Sequence, residues 1–422
     1  MRSPRTVRRR RWSAAVAALA LVTPLAACSS DDDGGVVVNL YGGASAAGFD
    51  KIIEACNQEA EGRYRIVGNL LPSDADGQRE QFVRRLAAQD TGLDLLGMDV
   101  TWTAEFAEAG WINELTEDQV AEATADTLEP TIETARWKDK LYGIPKHTNV
   151  QLLWYRKSLV PEPPQTWDEL MQMSQELKDA GQPYEIGFTA AQYEGYVVNV
   201  NNMINAYGGT LVNEDSTEAT IDDKVVQGLT LLQQLADSGL TSASLSNAQE
   251  PEVFAGLQNG SSAFALNWPY VLSAMRTADE EVANDLGFAP FPTVDGGEPT
   301  VTLGGMNYAI SAYSEHPDET FEAAMCLRSP EHQLQTALEA GDPPVNTTVF
   351  EEAEFQEAYP MYEAMLLELE NATPRPITPV YQNISTIVST TLSPPQDIDP
   401  EASAEELRSA IQDAIDGKGI LP

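Results

Sequence analysis

Asp99 and Glu250 are two carboxylates whose settings suggest chemistry: Asp99 ends the strand-like stretch that runs from 93 to 98, and Glu250 stands directly before Pro251. A pair of carboxyl groups flanking a glycosidic bond can act as general acid and base, so a secreted glycosidase is one reading. Carboxylates that only accept hydroxyl protons are the other, and that reading makes the chain a binder. Histidine chemistry is poorly supplied. The three histidines, His147, His316 and His332, do not fall at close ligand spacing, and no Gly-x-Ser-x-Gly elbow occurs. Neither a metal nor a cofactor is expected. Of the three cysteines, Cys56 and Cys326 can pair in an oxidising compartment or stay as two separately buried thiols, because sequence spacing does not test their distance.

The third cysteine bears on where the chain works. Arg2, Arg5 and Arg8 to Arg11 precede an apolar run over residues 14–22, which leads to Leu25-Ala26-Ala27-Cys28. A basic start, a short apolar core and small residues before a cysteine describe a signal peptide over 1–27, with Cys28 as the lipid anchor. The core is too short for a transmembrane helix, which needs about 20 apolar residues. Residues 28–35 would be the lipidated N-terminus and its tether. A plain secretory cleavage beside Ala26-Ala27 is the alternative, and Arg10-Arg11-Trp12 leaves a twin-arginine route open. The expected location is the extracellular face of the cytoplasmic membrane, with contact through the lipid anchor only. The formal charge is −40, and removing the arginine-rich leader makes it more negative still. That excludes nucleic acid as a partner and favours a neutral or cationic solute.

The elements that must position these groups alternate in type. Residues 36–40 read as a buried strand, Phe49, Ile52, Ile53 and Cys56 fall at helical spacing, and residues 65–70 read as a second strand. A helix over 78–89, a strand over 93–98 and a helix over 104–109 follow, and strand–helix–strand order predicts a parallel sheet. Ligands gather at the carboxyl ends of such strands, which places Asp99 and Gln78 where a site would be built. A second set opens with a strand over 150–155 and a helix announced by the capping box Thr166 to Glu169 and closed by Gly181. A helix over 225–236, the segment 254–260 and a strand over 262–266 continue the alternation to about residue 300.

Three stretches, taken together and in order, resemble the extracellular solute-binding proteins of ABC importers in the maltodextrin-binding class. They are Lys140-Leu141-Tyr142-Gly143-Ile144-Pro145 through Trp167-Asp168-Glu169-Leu170, Phe254-Ala255-Gly256-Leu257 through Asn267-Trp268-Pro269-Tyr270, and Gly304-Gly305-Met306-Asn307-Tyr308 through Pro330-Glu331-His332-Gln333. Asp99-Val100-Thr101-Trp102-Thr103 and Pro374-Arg375-Pro376 resemble most the trehalose-binding lipoproteins of actinobacteria. The resemblance implies an α/β, two-lobed periplasmic-binding-protein-like fold of type II. Lobe 1 would be 36–148 plus 304–346 and lobe 2 would be 149–303 plus 347–422, with hinges near Asn149, Leu303 and Asn346. It implies capture of a small neutral sugar by a monomer that docks on the transmembrane subunits of an ABC permease, with no bond broken.

A sugar offers clustered hydroxyls and flat C–H faces, so its site needs planar polar groups and aromatic rings. The resemblance points most directly to Asp99, Asn149, Glu250, Trp268 and Arg375. Gln78, Tyr193, Glu194, Tyr270, Gly305 and Ser45 join them as candidates. Each has a plainer reading: Asp99 as a helix cap, Glu250 as a helix start, Trp268 as core, Arg375 as the partner of a surface carboxylate. The turn Gly42-Gly43-Ala44-Ser45 offers only Ser45 as a polar side chain. That leaves maltose, other disaccharides, a glycerol-linked phosphodiester or a peptide beside trehalose as the solute.

Overall fold

A computed structural model describes residues 35–43 and 49–418. The leader, Cys28, the tether and Ser45 lie outside them. Among the described residues, eleven strands form two main sheets and one small ribbon. They are β1 (Val36–Gly43), β2 (Tyr64–Leu71), β3 (Leu95–Asp99), β4 (Arg136–Trp137), β5 (Lys140–Leu141), β6 (Ile144–Asn149), β7 (Leu152–Arg156), β8 (Glu185–Gly187), β9 (Ser262–Asn267), β10 (Leu286–Ala289) and β11 (Gly304–Ile310).

The first sheet has the order β2-β1-β3-β11-β6. β1 pairs in parallel with β2 and β3, as strand–helix–strand order predicts, whereas β11 enters antiparallel to both β3 and β6. Val38 and Leu40 of β1 and Ile52, Ile53 and Cys56 of the helix Phe49–Glu59 share one buried layer. Phe82, Leu86, Trp102 and Phe106 fill the opposite face.

The second sheet has the order β10-β7-β9-β8. Here the expectation of continued parallel alternation is only partly met. β7 is antiparallel to both β9 and β10, and the one parallel pair is β8 with β9. The reason lies in the crossing: β7 begins only Val150 and Gln151 after β6 ends, so its direction is set by the first sheet and not by a preceding helix of its own. The same crossing explains why the strand expected over 150–155 starts at Leu152.

Two further boundaries move for local reasons. The helix expected from residue 78 begins at Ala75, because Asp74 accepts the Gly77 N–H and caps it three residues earlier. The segment 254–260 belongs to a helix, Glu250–Asn259, started by a Gln249–Glu252 capping box with Pro251 in its first turn. The capping box of Thr166 and Glu169 forms as expected, and Gly181 takes the left-handed conformation (φ +69°) just past Ala180.

The chain returns from β10 in the second sheet to β11 in the first through residues 290–303, and after the helix Pro330–Ala340 it passes to the core around the second sheet for its last helices. One helix there, Glu194–Asn205, is buried on every side from Glu194 to Ile204. Its N-terminus points the polar residues Tyr193 and Glu194 toward the space between the sheets. Cys56 and Cys326 form a disulfide with a Cα–Cα separation of 5.8 Å; it ties the helix Phe49–Glu59 to the helix Pro317–Leu327.

Candidate functional site

Asp99 is the last residue of β3, and the backbone turns there into a short 3-10 segment, Val100–Trp102. Its Oδ1 accepts both the Thr101 N–H (2.9 Å) and the Thr101 hydroxyl (2.7 Å), so the capping role is present. The same oxygen also receives Arg375 Nη2 at 3.3 Å. Arg375 comes from the segment after the helix Tyr362–Asn371, in the second core, so this pair bridges elements of the two sheets.

Arg375 is buried, and its second arm reaches Glu194 Oε1 at 2.5 Å. Glu194 also accepts the Tyr381 hydroxyl at 2.6 Å and the Ser385 hydroxyl. Burial pushes the Glu194 carboxyl upward, opposed by the Arg375 charge. Burial works against the charge on Arg375, but Asp99 and Glu194 outweigh it and hold the guanidinium above its usual pKa. Its Nε is buried without a partner among the described residues. Arg375 is thus no surface ion pair; it links two carboxylates from opposite sides of the cleft.

Glu250 and Tyr193 form a second pair. The Tyr193 hydroxyl donates to the Glu250 carboxylate, and the ring folds back over Gly195, where a Cβ would lie 2.2 Å from the hydroxyl oxygen. Burial, then the Glu250 charge, pushes the Tyr193 hydroxyl up, so it stays a donor at every physiological pH. Glu250 is also the first residue of its helix, so the helix-start reading holds beside the pairing.

Beside these pairs lies a cavity of about 480 Å³, lined by Gln78, Asn149, Trp268 and Tyr270 together with Asn69 and Lys146. Such a volume falls within the range of small-molecule sites. The Cη2 and Cζ3 atoms of the Trp268 ring lie against the start of β11, where a Cβ on Gly304 would meet them at 3.0 Å. Gly305, next in the strand, has φ +124° and would place a Cβ 2.4 Å from the His147 carbonyl, so only glycine fits. The Tyr270 hydroxyl donates to the Glu250 backbone carbonyl at 3.3 Å, which leaves its ring as the cavity surface. Gln78 donates to the Ser73 carbonyl at 3.3 Å and keeps its own carbonyl oxygen for other use. Asn149, at the end of β6 and opposite Gly304, has a buried Oδ1 with no partner among the described residues. A buried acceptor left unpaired costs on the order of 1–3 kcal/mol, and a hydroxyl donor would relieve it.

The structure therefore gathers Gln78, Asn149, Trp268 and Tyr270 on one cavity, and Asp99, Arg375 and Glu194 in one network. Tyr193 and Glu250 adjoin the cavity through Tyr270. Asp99 meets the cavity wall through its ladder partner Met306. Residues the sequence reading missed are Tyr381 and Ser385, which hold Glu194, and Asp76, which accepts Gln382 Nε2 at 3.1 Å. Tyr381 and Ser385 stand four apart on one helix face, a spacing visible in the sequence but without meaning until Glu194 is placed opposite. His147 also lines the cavity, and burial lowers its pKa to about 4, so it is neutral there.

Known proteins share this arrangement of elements. Maltose-bound MalE3 of T. maritima superposes with a TM-score of 0.81 at 24% identity, covering 90% of this chain and 99% of that one. A solute-binding protein of an ABC transporter from Thermotoga lettingae, bound with alpha-D-tagatose, superposes at 0.80 with 21% identity, covering 90% and 100%. These likenesses show the fold: mixed α/β, two-lobed and periplasmic-binding-protein-like. In sequence, a probable ABC transporter-binding protein of Deinococcus radiodurans is 27% identical over 348 residues, 78% of this chain and 81% of the relative. Residues 43–345 match the model of the bacterial extracellular solute-binding protein family. With residues 43–345, most of the chain, inside that match and a cavity lined from both sheets, the chain belongs to the bacterial extracellular solute-binding proteins.

Proposed function

We propose that this protein is the solute-capturing component of an ABC sugar importer, anchored through acylated Cys28 on the outer face of the cytoplasmic membrane. It holds a disaccharide, trehalose first, between lobe 1 (36–148 plus 304–346) and lobe 2 (149–303 plus 347–422). It then presents the closed form to the permease as a monomer and breaks no bond. The observation that carries this reading is the unpartnered Asn149 Oδ1 on the same cavity wall as the Trp268 ring. A hydroxyl donor and a flat C–H surface on one small molecule satisfy both at once. The maltose and tagatose held by the two superposed proteins support a sugar as the solute class.

The test is a thermal-shift and calorimetry panel of trehalose, maltose, monosaccharides, a glycerol phosphodiester and short peptides. Stabilisation by a disaccharide, rising with the logarithm of its concentration, is the expected outcome. Stabilisation by peptides alone would overturn the sugar reading, and aglycone release from aryl glycosides would overturn passive capture. Lys146 favours a second reading. Its ammonium lies 5.7 Å from the Phe49 ring centroid and 5.9 Å from that of Tyr308 on the cavity wall. A cation there suits the phosphodiester, which the same panel distinguishes.

A further inference from the structure

His332, buried in the helix Pro330–Ala340, stands against the disulfide and is not among the residues that line the solute cavity. Its Nδ1 is 3.5 Å from Cys56 Sγ and 3.8 Å from Cys326 Sγ. Glu59, one turn beyond Cys56 in its helix, brings Oε2 to 3.5 Å from Cys326 Sγ and Oε1 to 3.7 Å from His332 Nε2. Two sulfurs, an imidazole and a carboxylate are the donor set of a tetrahedral site for a zinc-class cation. With metal–sulfur bonds of about 2.3 Å and metal–nitrogen or metal–oxygen bonds of about 2.0 Å, tetrahedral ligands stand roughly 3.3–3.8 Å apart. The sulfur–nitrogen and sulfur–oxygen separations already lie in that range. Only the two sulfurs, bonded to each other in the oxidised chain, have to part.

We infer that Cys56, Cys326, His332 and Glu59 form a binding site for a zinc-class divalent cation once the disulfide is reduced. Reduction by a dithiol breaks the S–S bond and leaves two thiols, while the reductant becomes its own disulfide. Binding then releases two thiol protons to solvent as two metal–sulfur bonds form. His332 gives up its Nδ1–H hydrogen bond to the Cys326 carbonyl, now 2.8 Å, and carries that proton on Nε2 instead, so that Nδ1 faces the metal while Glu59 turns its carboxylate from Nε2 to the cation. Glu59 is more than half exposed, at 59% of its side chain, and gives the cation its way in. The site joins the same helices as the disulfide, so the chain carries one staple in two redox forms: a covalent bond when oxidised and a metal clip when reduced.

Cobalt(II) is the probe, because tetrahedral cobalt bound by thiolate absorbs where free cobalt does not. Chain reduced with a phosphine and shown folded by circular dichroism is expected to take up one cobalt per molecule with a thiolate charge-transfer band, and zinc should displace it. Oxidised chain should show no band. Cys56→Ser should lose most of the band, and His332→Ala, checked for folding in its oxidised form, should weaken cobalt at least tenfold. Absence of the band in reduced, folded chain would overturn the site, as would unchanged affinity in His332→Ala. Neither result touches the solute reading, whose assays use the oxidised chain.

Discussion

Arg375 holds two carboxylates at once, and its removal separates their fates. In Arg375→Met, Glu194 is left buried with only the Tyr381 and Ser385 hydroxyls. Breaking a buried pair on one side costs about 3–5 kcal/mol. Urea unfolding at neutral pH should show that loss, and it should shrink under acid conditions, where Glu194 takes up a proton. Arg375→Lys should recover little, since one ammonium cannot reach both partners in the forked geometry of a guanidinium. Trp268 behaves in the opposite way. Its ring lines the cavity, so Trp268→Ala should leave unfolding nearly unchanged while weakening the disaccharide by about 1.5–3 kcal/mol, roughly ten- to 150-fold in Kd by calorimetry. Normal binding by both Trp268→Ala and Asp99→Ala would move the site elsewhere.

At the scale of an element, the helix Tyr362–Asn371 buries a carboxyl. Glu368 is fully buried; its Oε1 accepts the Phe291 N–H and its Oε2 has no partner among the described residues. Burial pushes its pKa up to about 8, against the Phe291 hydrogen bond. The unfolded chain titrates near about 4.3, so the folded state holds the extra proton between those values. Stability from this group is therefore complete below about 4.3 and is lost as pH rises toward about 8, by on the order of a few kcal/mol. Glu368→Gln should flatten that segment of the stability–pH curve measured by denaturant midpoints. The strands β1, β2, β3, β7 and β9 and helices such as Phe49–Glu59 were legible from periodicity, because β1 and that helix each present one regular buried face; the short strands β4, β5, β8 and β10 were not. Glu368 was not legible: an acid in an acid-rich amphipathic helix reads as solvated until a neighbouring loop covers it.

Across the whole molecule, Asp76 and Asp99 reach from the first sheet's elements to Gln382 and Arg375 of the second core. These contacts bridge the two sides of the cleft. Asp76→Ala removes one of them, worth about 1 kcal/mol, which shifts an open–closed equilibrium about fivefold toward open. Small-angle scattering of the solute-free protein should then give a larger radius of gyration, and saturating disaccharide should restore the smaller one. Asp99 was readable from its place at a strand end, where topology directs ligands, whereas Asn149 entered through the family resemblance. Asp76, Tyr381 and Gln382 owe their roles to a meeting of distant segments, which no local spacing announces.

Asn202 sits midway along the helix buried on every side. Its Nδ2 donates to the Gln151 side chain at 2.7 Å, and its Oδ1 accepts the Thr302 N–H at 2.7 Å. Gln151 lies on the outgoing passage between the sheets and Thr302 on the returning one. A single amide thus clasps both passages to the same rigid rod. The closure proposed above would therefore have to turn both passages together, as one axle.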